Sequence, residues 1–549
     1  MAPRLRPVLV SLVVFCLATA AAGAQEPPVT ATPKAKCGEG SVPEPGLQGR
    51  LAKEDVDSEK AAEGYRCNMT VVGRSGETGG FKVLRYVDKA GHECAYYDTT
   101  LLFPTNTFNL SFEPTGVAVL DMTDPANPVR TASLSTPAMQ SPHESLNIST
   151  SRGILAAVAG SPAFAPGQVD VYDISQDCRQ PVLKSSLPVG FIGHESGMAP
   201  DGETFYATSI GSGHTTPVDI SDPSLPRTLG VYEFNSHGMT VSDDGTRGYL
   251  ASGDGLVIVD LTEIQERRPN PQMPEISRLA WPEMTIPQVA HPVTIDGKAY
   301  AVEVDEYSAG EEGGVTAHGD RVGAARIIDI SDETKPQVVS NVRLEVHQPE
   351  HRAAIAGDYG AQNPTQGYAA HYCNVPRRTD PGIMACSMIL SGLRVFDIRD
   401  PMRPKEIAYF VAPPDTISTT GGPVIDERAN WAMSQPDFVP ERGEIWYSDG
   451  TSGFYVLKVD PSVWPFRNRD RCRRPRIRLP RFDGRRIVRA VARRRGKRLA
   501  ARRGKNLRRL AVPRAKRTRK VRIRLVTRNE RGVKRRVTIT RRVRGCAGA

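Results

Sequence analysis

The side chains best suited to chemistry in this chain are its ten histidines, because an imidazole can ligate a metal or exchange a proton near neutral pH. Five of them recur in one setting. "PHESLN" carries His143, "GHESGMAPDG" His194, "SHGMTVSDDG" His237, "AHPVTIDG" His291 and "AHYCNVPRRTD" His371. Each stands about one strand length ahead of a turn, and the gap is eight residues for both His194 to Gly202 and His237 to Gly245. Such a register brings five imidazoles to one rim. Neutral imidazoles suit copper, zinc, iron or nickel, so these five are candidate metal ligands and copper or zinc the candidate cofactor. Gln435, at the equivalent point of "SQPDFVPERG", and Asp305 and Glu306 of "VEVDEY" are candidates to complete a ligand shell. A ring of five is too wide for one ion, so at most three or four could coordinate. The competing reading is structural: an imidazole opening an inner strand can hydrogen-bond to the neighbouring backbone and hold no metal.

The elements that must position these residues are announced by another recurrence. "GVAVLDMTDPANP" ends a strand at Asp121, "QVDVYDISQDCRQP" at Asp173 and "TTPVDISDPSLP" at Asp219. "GLVIVDLTE" follows at Asp260, "ARIIDISDETKP" at Asp329, "GLRVFDIRDPMRP" at Asp397, and "GFYVLKVDPSVWP" puts Lys458 where the aspartate was. Ahead of these phrases stand turns such as "DGETFY", "DDGTRGY", "DGKAY" and "ERGEIWY", and Asp-Gly favours the tight reversal of a hairpin. Each unit therefore reads as strand, Asp-Gly turn, strand, loop, the apolar phrase, an Asp turn and a fourth strand. Seven such units at this period predict an all-β, seven-bladed β-propeller. An orphan strand at "YRCNMTVVG", from Tyr65, is expected to complete the last blade and so remove the open edge.

That alternation also sorts the other histidines. His214, His318, His347 and His351 fall on connections returning to the rim of the five, which adds His347 and His351 to the candidate ligand-binding residues. His92 alone belongs to the opposite face. The phrase-final aspartates are expected to close turns, since Asp accepts hydrogen bonds from the backbone just beyond it.

On these phrases the chain resembles the LVIVD-repeat β-propellers, over roughly residues 65–465. The resemblance implies a propeller and little more, because the activity of that family is largely undefined. It extends loosely to the selenium-binding protein and methanethiol oxidase propellers, which have metal-associated histidines, although no catalytic motif of that group is matched here.

Length and composition frame the rest. A chain of 549 residues exceeds one compact core. Arg4 and Arg6, an apolar stretch from Val8 to about Ala21, and Ala22-Gly23-Ala24 predict a signal peptide over 1–24. An N-terminal extension over 25–64 precedes the propeller. The chain is thus read as secreted or held at the cell surface, and its Arg- and Ala-rich usage as bacterial. No later apolar run is long enough for a transmembrane helix. Beyond Cys16, eight of the nine cysteines remain, an even number suited to disulfides in an exported protein. Cys373 with Cys386, Cys472 with Cys546, and Cys67 with Cys94 are the expected pairs.

Charge is divided very unevenly. Residues 466–549 hold 36 of the 72 Lys and Arg but only three of the 61 Asp and Glu, so the body is acidic and the tail strongly basic. "RKVRIRLVTRNERGVKRRVTITRRVRGC" alternates basic and apolar residues around a turn, which predicts a small, disulfide-closed, β-sandwich-like basic domain. Export makes an anionic cell-surface polymer or polysaccharide its expected partner, and the lack of interleaved aromatics argues against nucleic acid. No Gly-x-Ser-x-Gly, P-loop or His-Glu-x-x-His motif occurs. The leading expectation is a non-enzymatic binding or scaffold propeller anchored to envelope material by its basic tail, with an unidentified protein or small molecule at the mouth. The alternative is a metal-dependent extracellular enzyme acting at the histidine-rich rim.

Overall fold

The computed structural model describes residues 27–99, 116–160, 167–191, 193–209, 212–309, 321–361, 367–416, 428–466, 476–513 and 519–543. The expected signal peptide, His318, Cys472 and Cys546 lie outside the described residues. The chain is all-β and propeller-like. Besides two small two-stranded sheets, Ser308–Ala309 with Arg321–Val322 and Asp415–Thr416 with Arg428–Ala429, the described strands between Tyr65 and Val459 form seven antiparallel sheets of four or five strands. The first contains Val83–Val87, Glu93–Asp98, Val117–Asp121 and Val129–Leu134, and each later sheet takes the next strands in turn. The apolar phrases are third strands, buried on both faces. Burial on both faces explains their unbroken branched-aliphatic character.

Each sheet packs on the next through its own apolar cluster. Val158 and Val171 of the second sheet meet Phe205 and Val218 of the third. Trp446 and Phe454 of the seventh meet Val83 and Ala95 of the first. The sheet order thus returns on itself. The orphan strand is divided: Met69–Ser75 pairs with Gly453–Val459 and completes the seventh sheet, as expected. Tyr65–Cys67 instead adds a fifth strand to the sixth sheet, against Lys405–Val411.

That division corrects one predicted disulfide. Cys67 sits on the edge of the sixth sheet, away from Cys94 in the first, so Cys67 bonds Cys37 and Cys94 bonds Cys178. The Cys373–Cys386 bond forms as expected between directly paired residues of neighbouring strands. The turn chemistry also follows expectation. Asp296 (φ 47°) and Gly297 (φ 83°) both take the left-handed region that the tightest hairpin requires. Asp121, Asp173, Asp219, Asp260, Asp329 and Asp397 each accept the N–H two residues on, at 2.8–3.1 Å.

Residues 27–64 lie along the fifth and sixth sheets. Thr32 N–H donates to Arg343 O (2.8 Å), Arg50 pairs with Asp358 (2.8 Å), and buried Arg394 pairs with Glu44 and Glu406. No helix among the described residues is long and apolar enough to cross a membrane. In the tail, Arg485–Arg494, Lys497–Arg503, Arg519–Asn529 and Lys534–Val543 form a four-stranded sheet, and Arg476–Arg478 pairs with Arg509–Ala511. Ile477, Leu510, Val521, Ile523 and Leu525 share one apolar cluster there.

Candidate metal centre

Successive sheets present register-equivalent dipeptides at the start of their inner strands. The second and third supply His143-Glu144 and His194-Glu195, linked by a parallel bridge between the two glutamates. The fourth supplies His237-Gly238 and the sixth His371-Tyr372. The first supplies Phe81-Lys82, bridged to Gln435 of the seventh. Asp98 fixes that first position, its carboxylate accepting the N–H groups of Phe81 (2.8 Å) and Lys82 (3.0 Å). The inward turn of these residues gathers four imidazoles around one carboxylate.

Glu144 is the hub. Its Oε2 lies 3.8 Å from His143 Nδ1, 3.4 Å from His194 Nε2 and 3.6 Å from His237 Nδ1, and its Oε1 lies 3.1 Å from His371 Nε2. Glu306 closes the far side, Oε1 at 2.9 Å from His237 Nε2 and Oε2 at 3.0 Å from His371 Nε2. Glu195 stands beside them, paired with buried Lys82 at 3.0 Å. Three overlapping trios, His143/Glu144/His194, Glu144/Glu306/His371 and Glu144/Glu195/His237, each hold three ligand atoms within 4.8 Å of one another. His143, His237, His371 and the three glutamates are buried, whereas the His194 side chain is 24% exposed. The centre is therefore reached past His194.

Several of these atoms are orphans. Among the described residues, His143 Nδ1, Glu144 Oε2, His237 Nδ1 and Glu195 Oε2 lack an aligned hydrogen bond despite their burial. Buried polar atoms without partners are costly; here they converge on one locus. The ring orientations point the same way. His371 Nδ1 donates to Met433 O at 2.6 Å, which turns Nε2 toward Glu144 and Glu306 and, in a neutral ring, would leave its lone pair free for a metal. His237 is likewise anchored through Nε2 on Glu306, leaving Nδ1 toward Glu144.

Backbone and packing are bent to this arrangement. His143 adopts φ 49°, a region a side-chain-bearing residue enters at a cost. Phe81 stacks on its ring at 4.7 Å between centroids. Gly238 has no room for a side chain: a Cβ would stand 1.8 Å from Glu195 Oε2 and 2.3 Å from Gln288 O.

Without a metal, protons balance the site. Burial pushes the Glu144 and Glu306 carboxyls up, but the surrounding imidazoles hold both below the usual range, Glu144 well below. Burial lowers His237 and His371, yet the two carboxylates win, raising His237 and taking His371 to about 10. Desolvation keeps His143 low and His194 well below its ordinary value. Burial takes Glu195 up to about 7 against the pull of Lys82.

Of the five aligned histidines, four converge and one does not. His291 lies within the strand Ile286–Ile295 and not at its head: it pairs with Val302, four residues along from Glu306. Its Nε2 meets Cys373 O at 3.0 Å, and burial, with Arg378 and Lys82, lowers it to about 3. Glu306 joins the site, but its neighbour Asp305 faces the other side of the strand, bonded to Arg326 and Trp281. His347 is buried elsewhere, with Nδ1 accepting the Leu344 N–H at 3.2 Å; His351 ends a short helical turn, Pro349–His351. Gln435 enters the ring through its backbone, its N–H donating to Phe81 O at 2.7 Å. The residues that sequence reasoning missed are Glu144, Glu195 and Lys82. The repeated "HES" of "PHES" and "GHES" was the available signal for the two glutamates; nothing comparable marked Lys82.

No family model and no curated protein matches the chain. Solved structures similar to it include Kuenenia stuttgartiensis hydrazine synthase, 12% identical over 70% of this chain and 97% of that one, with a TM-score of 0.42. Pseudomonas aeruginosa periplasmic gluconolactonase is 13% identical over 63% and 93%, with a TM-score of 0.41. The β-propeller domain of Myceliophteria thermophila Cps50 (Swd1) is 11% identical over 70% and 98%, with a TM-score of 0.41.

Proposed function

We propose that this protein is an exported seven-bladed propeller that holds a transition metal, copper or zinc, in its central channel. The carrying observation is the convergence of orphaned imidazole nitrogens and carboxylate oxygens on the Glu144 hub. In this reading His143, His194, His237 and His371 supply nitrogen donors, Glu144 a carboxylate donor, and Glu306 orients His237 and His371. Glu195, held by Lys82, borders the site. A metal bound there supplies Lewis acidity or, for copper, a one-electron couple. Access past His194 alone favours a metal-dependent extracellular enzyme over a closed structural site. Membership of the LVIVD-repeat propellers belongs to the same proposal, supported by the six phrase-final aspartates that make one common turn. Export is supported by three disulfides and by the predicted signal peptide.

A second reading rests on a specific observation. His371, raised to about 10, and His237, shifted in the same direction by the same carboxylates, offset the charges of Glu144 and Glu306, so the cluster could be a buried ionic knot inside a metal-free binding or scaffold propeller. Elemental analysis separates the two. Protein dialysed against copper or zinc should retain near-stoichiometric metal, lose it in Glu144→Gln and His371→Gln, and keep it in His291→Gln. Wild-type protein that retains no metal, and melts identically with and without chelator, would refute the metal centre.

A further inference from the structure

The four-stranded sheet of the tail has one face in its apolar cluster and one in solvent. On the strand Arg519–Asn529, Val521, Ile523 and Leu525 are fully buried while Arg522 and Arg524 alternate outward. Register sets the rest of the outer face. Arg522 lies opposite Arg493, which lies opposite Arg498; Arg528 lies opposite Arg486 on one side and Lys534 on the other. Like charges directly opposed in a sheet destabilise it. No Asp or Glu occurs on the four strands, and among the described residues neither Arg493, Arg522 nor Arg524 pairs with a carboxylate. A concavity of about 610 Å³ opens beside the reversal at Gly496, lined by Arg493, Arg494, Arg495, Lys520, Arg522 and Arg524.

We propose that this face binds a linear phosphate polymer, laid across the strands and seated in that concavity. Cations recur about every 6.8 Å along a strand and 4.8 Å between strands, so one phosphate meets guanidinium groups from two strands at once. A phosphate offers its charged oxygens from a tetrahedral centre to both; a planar carboxylate is satisfied by a single fork. The four strands contain no aromatic residue, so nothing stacks on a base and a nucleic acid is disfavoured. The inference is independent of the metal centre.

Long-chain inorganic polyphosphate is the probe, titrated against the full chain at rising salt. Each phosphate contact contributes about 0.7 to the slope of log affinity against log salt for a single-stranded polyanion. The triple variant Arg493→Gln, Arg522→Gln, Arg524→Gln should therefore lose about 2 from that slope and bind at least tenfold more weakly. Its thermal unfolding should be at or above that of wild type, because the changed side chains are exposed and Arg493 and Arg522 are opposed like charges. Lys89→Gln, Lys184→Gln, Lys335→Gln, an equal charge loss on exposed propeller sites, should leave binding unchanged. Equal weakening in both variants overturns the assignment to this face. Tighter binding of polygalacturonate overturns the choice of phosphate over carboxylate, and tighter binding of single-stranded DNA overturns the assignment to a phosphate polymer without bases. Salt-sensitive self-association without polyphosphate binding overturns it as well, by making the acidic body the occupant.

Discussion

His371 offers the sharpest test of the centre, because the metal and a proton compete for the same nitrogen. In the metal-free protein the Nε2 proton is held between Glu144 at 3.1 Å and Glu306 at 3.0 Å, and the folded-state value rises from 6.5 to about 10. A raised value stabilises the fold fully below pH 6.5, and the contribution fades as pH climbs through 10. The difference is worth roughly 5 kcal/mol, at 1.36 kcal/mol for each tenfold change in proton affinity. The perturbation is His371→Gln, which removes the titrating group and leaves Glu144 and Glu306 in place. Chelated wild-type and variant protein are unfolded in denaturant at pH 6 and pH 10. Wild type should lose several kcal/mol across that window, and the variant should be weaker at pH 6 but much flatter. With metal bound, wild type should also flatten, and loading at pH 8 should release protons into a weakly buffered solution. Parallel pH profiles for chelated wild type and variant would show that His371 carries no such proton, and the charge assignment of the whole cluster would fall with it.

Two further outcomes test the scaffold around the site. Gly238→Ala drives a methyl group into the Gln288 carbonyl and the Glu195 carboxylate; a loss of about 2–3 kcal/mol in chemical denaturation is expected, with metal retention falling in step. Breaking Cys94–Cys178, which spans 84 residues, with a Cys94→Ala, Cys178→Ala double variant should cost about 4–5 kcal/mol of unfolding free energy on the chain-entropy account. Breaking Cys373–Cys386, separated by 13 residues, should cost less when measured in the same way.

The sequence alone determined the repeated sheet and its turns. Those depend on local rules: branched apolar runs for strands buried on both faces, Asp-Gly for tight reversals, and a phrase-final Asp that accepts the N–H two residues on. It also brought His143, His194, His237 and His371 to one rim, since each stands at the head of its unit's inner strand, although the turn glycine follows at 10, 8, 8 and 11 residues. It misplaced His291, because its strand, Ile286–Ile295, starts well before that residue, and a place inside the strand was read as a place at its head. Asp305 and Glu306 looked interchangeable in sequence; adjacent strand residues face opposite ways, and only the pairing with Arg326 and Trp281 decides which one turns outward. Which cysteines meet, and which carboxylate becomes the hub, was left to the tertiary structure. Glu144 matters because the second, third, fourth and sixth sheets converge on it from positions up to 228 residues apart, and no local pattern encodes that closure. The packing of the seventh sheet on the first brings Gln435 against Phe81 and Lys82, completes the ring and so creates the site.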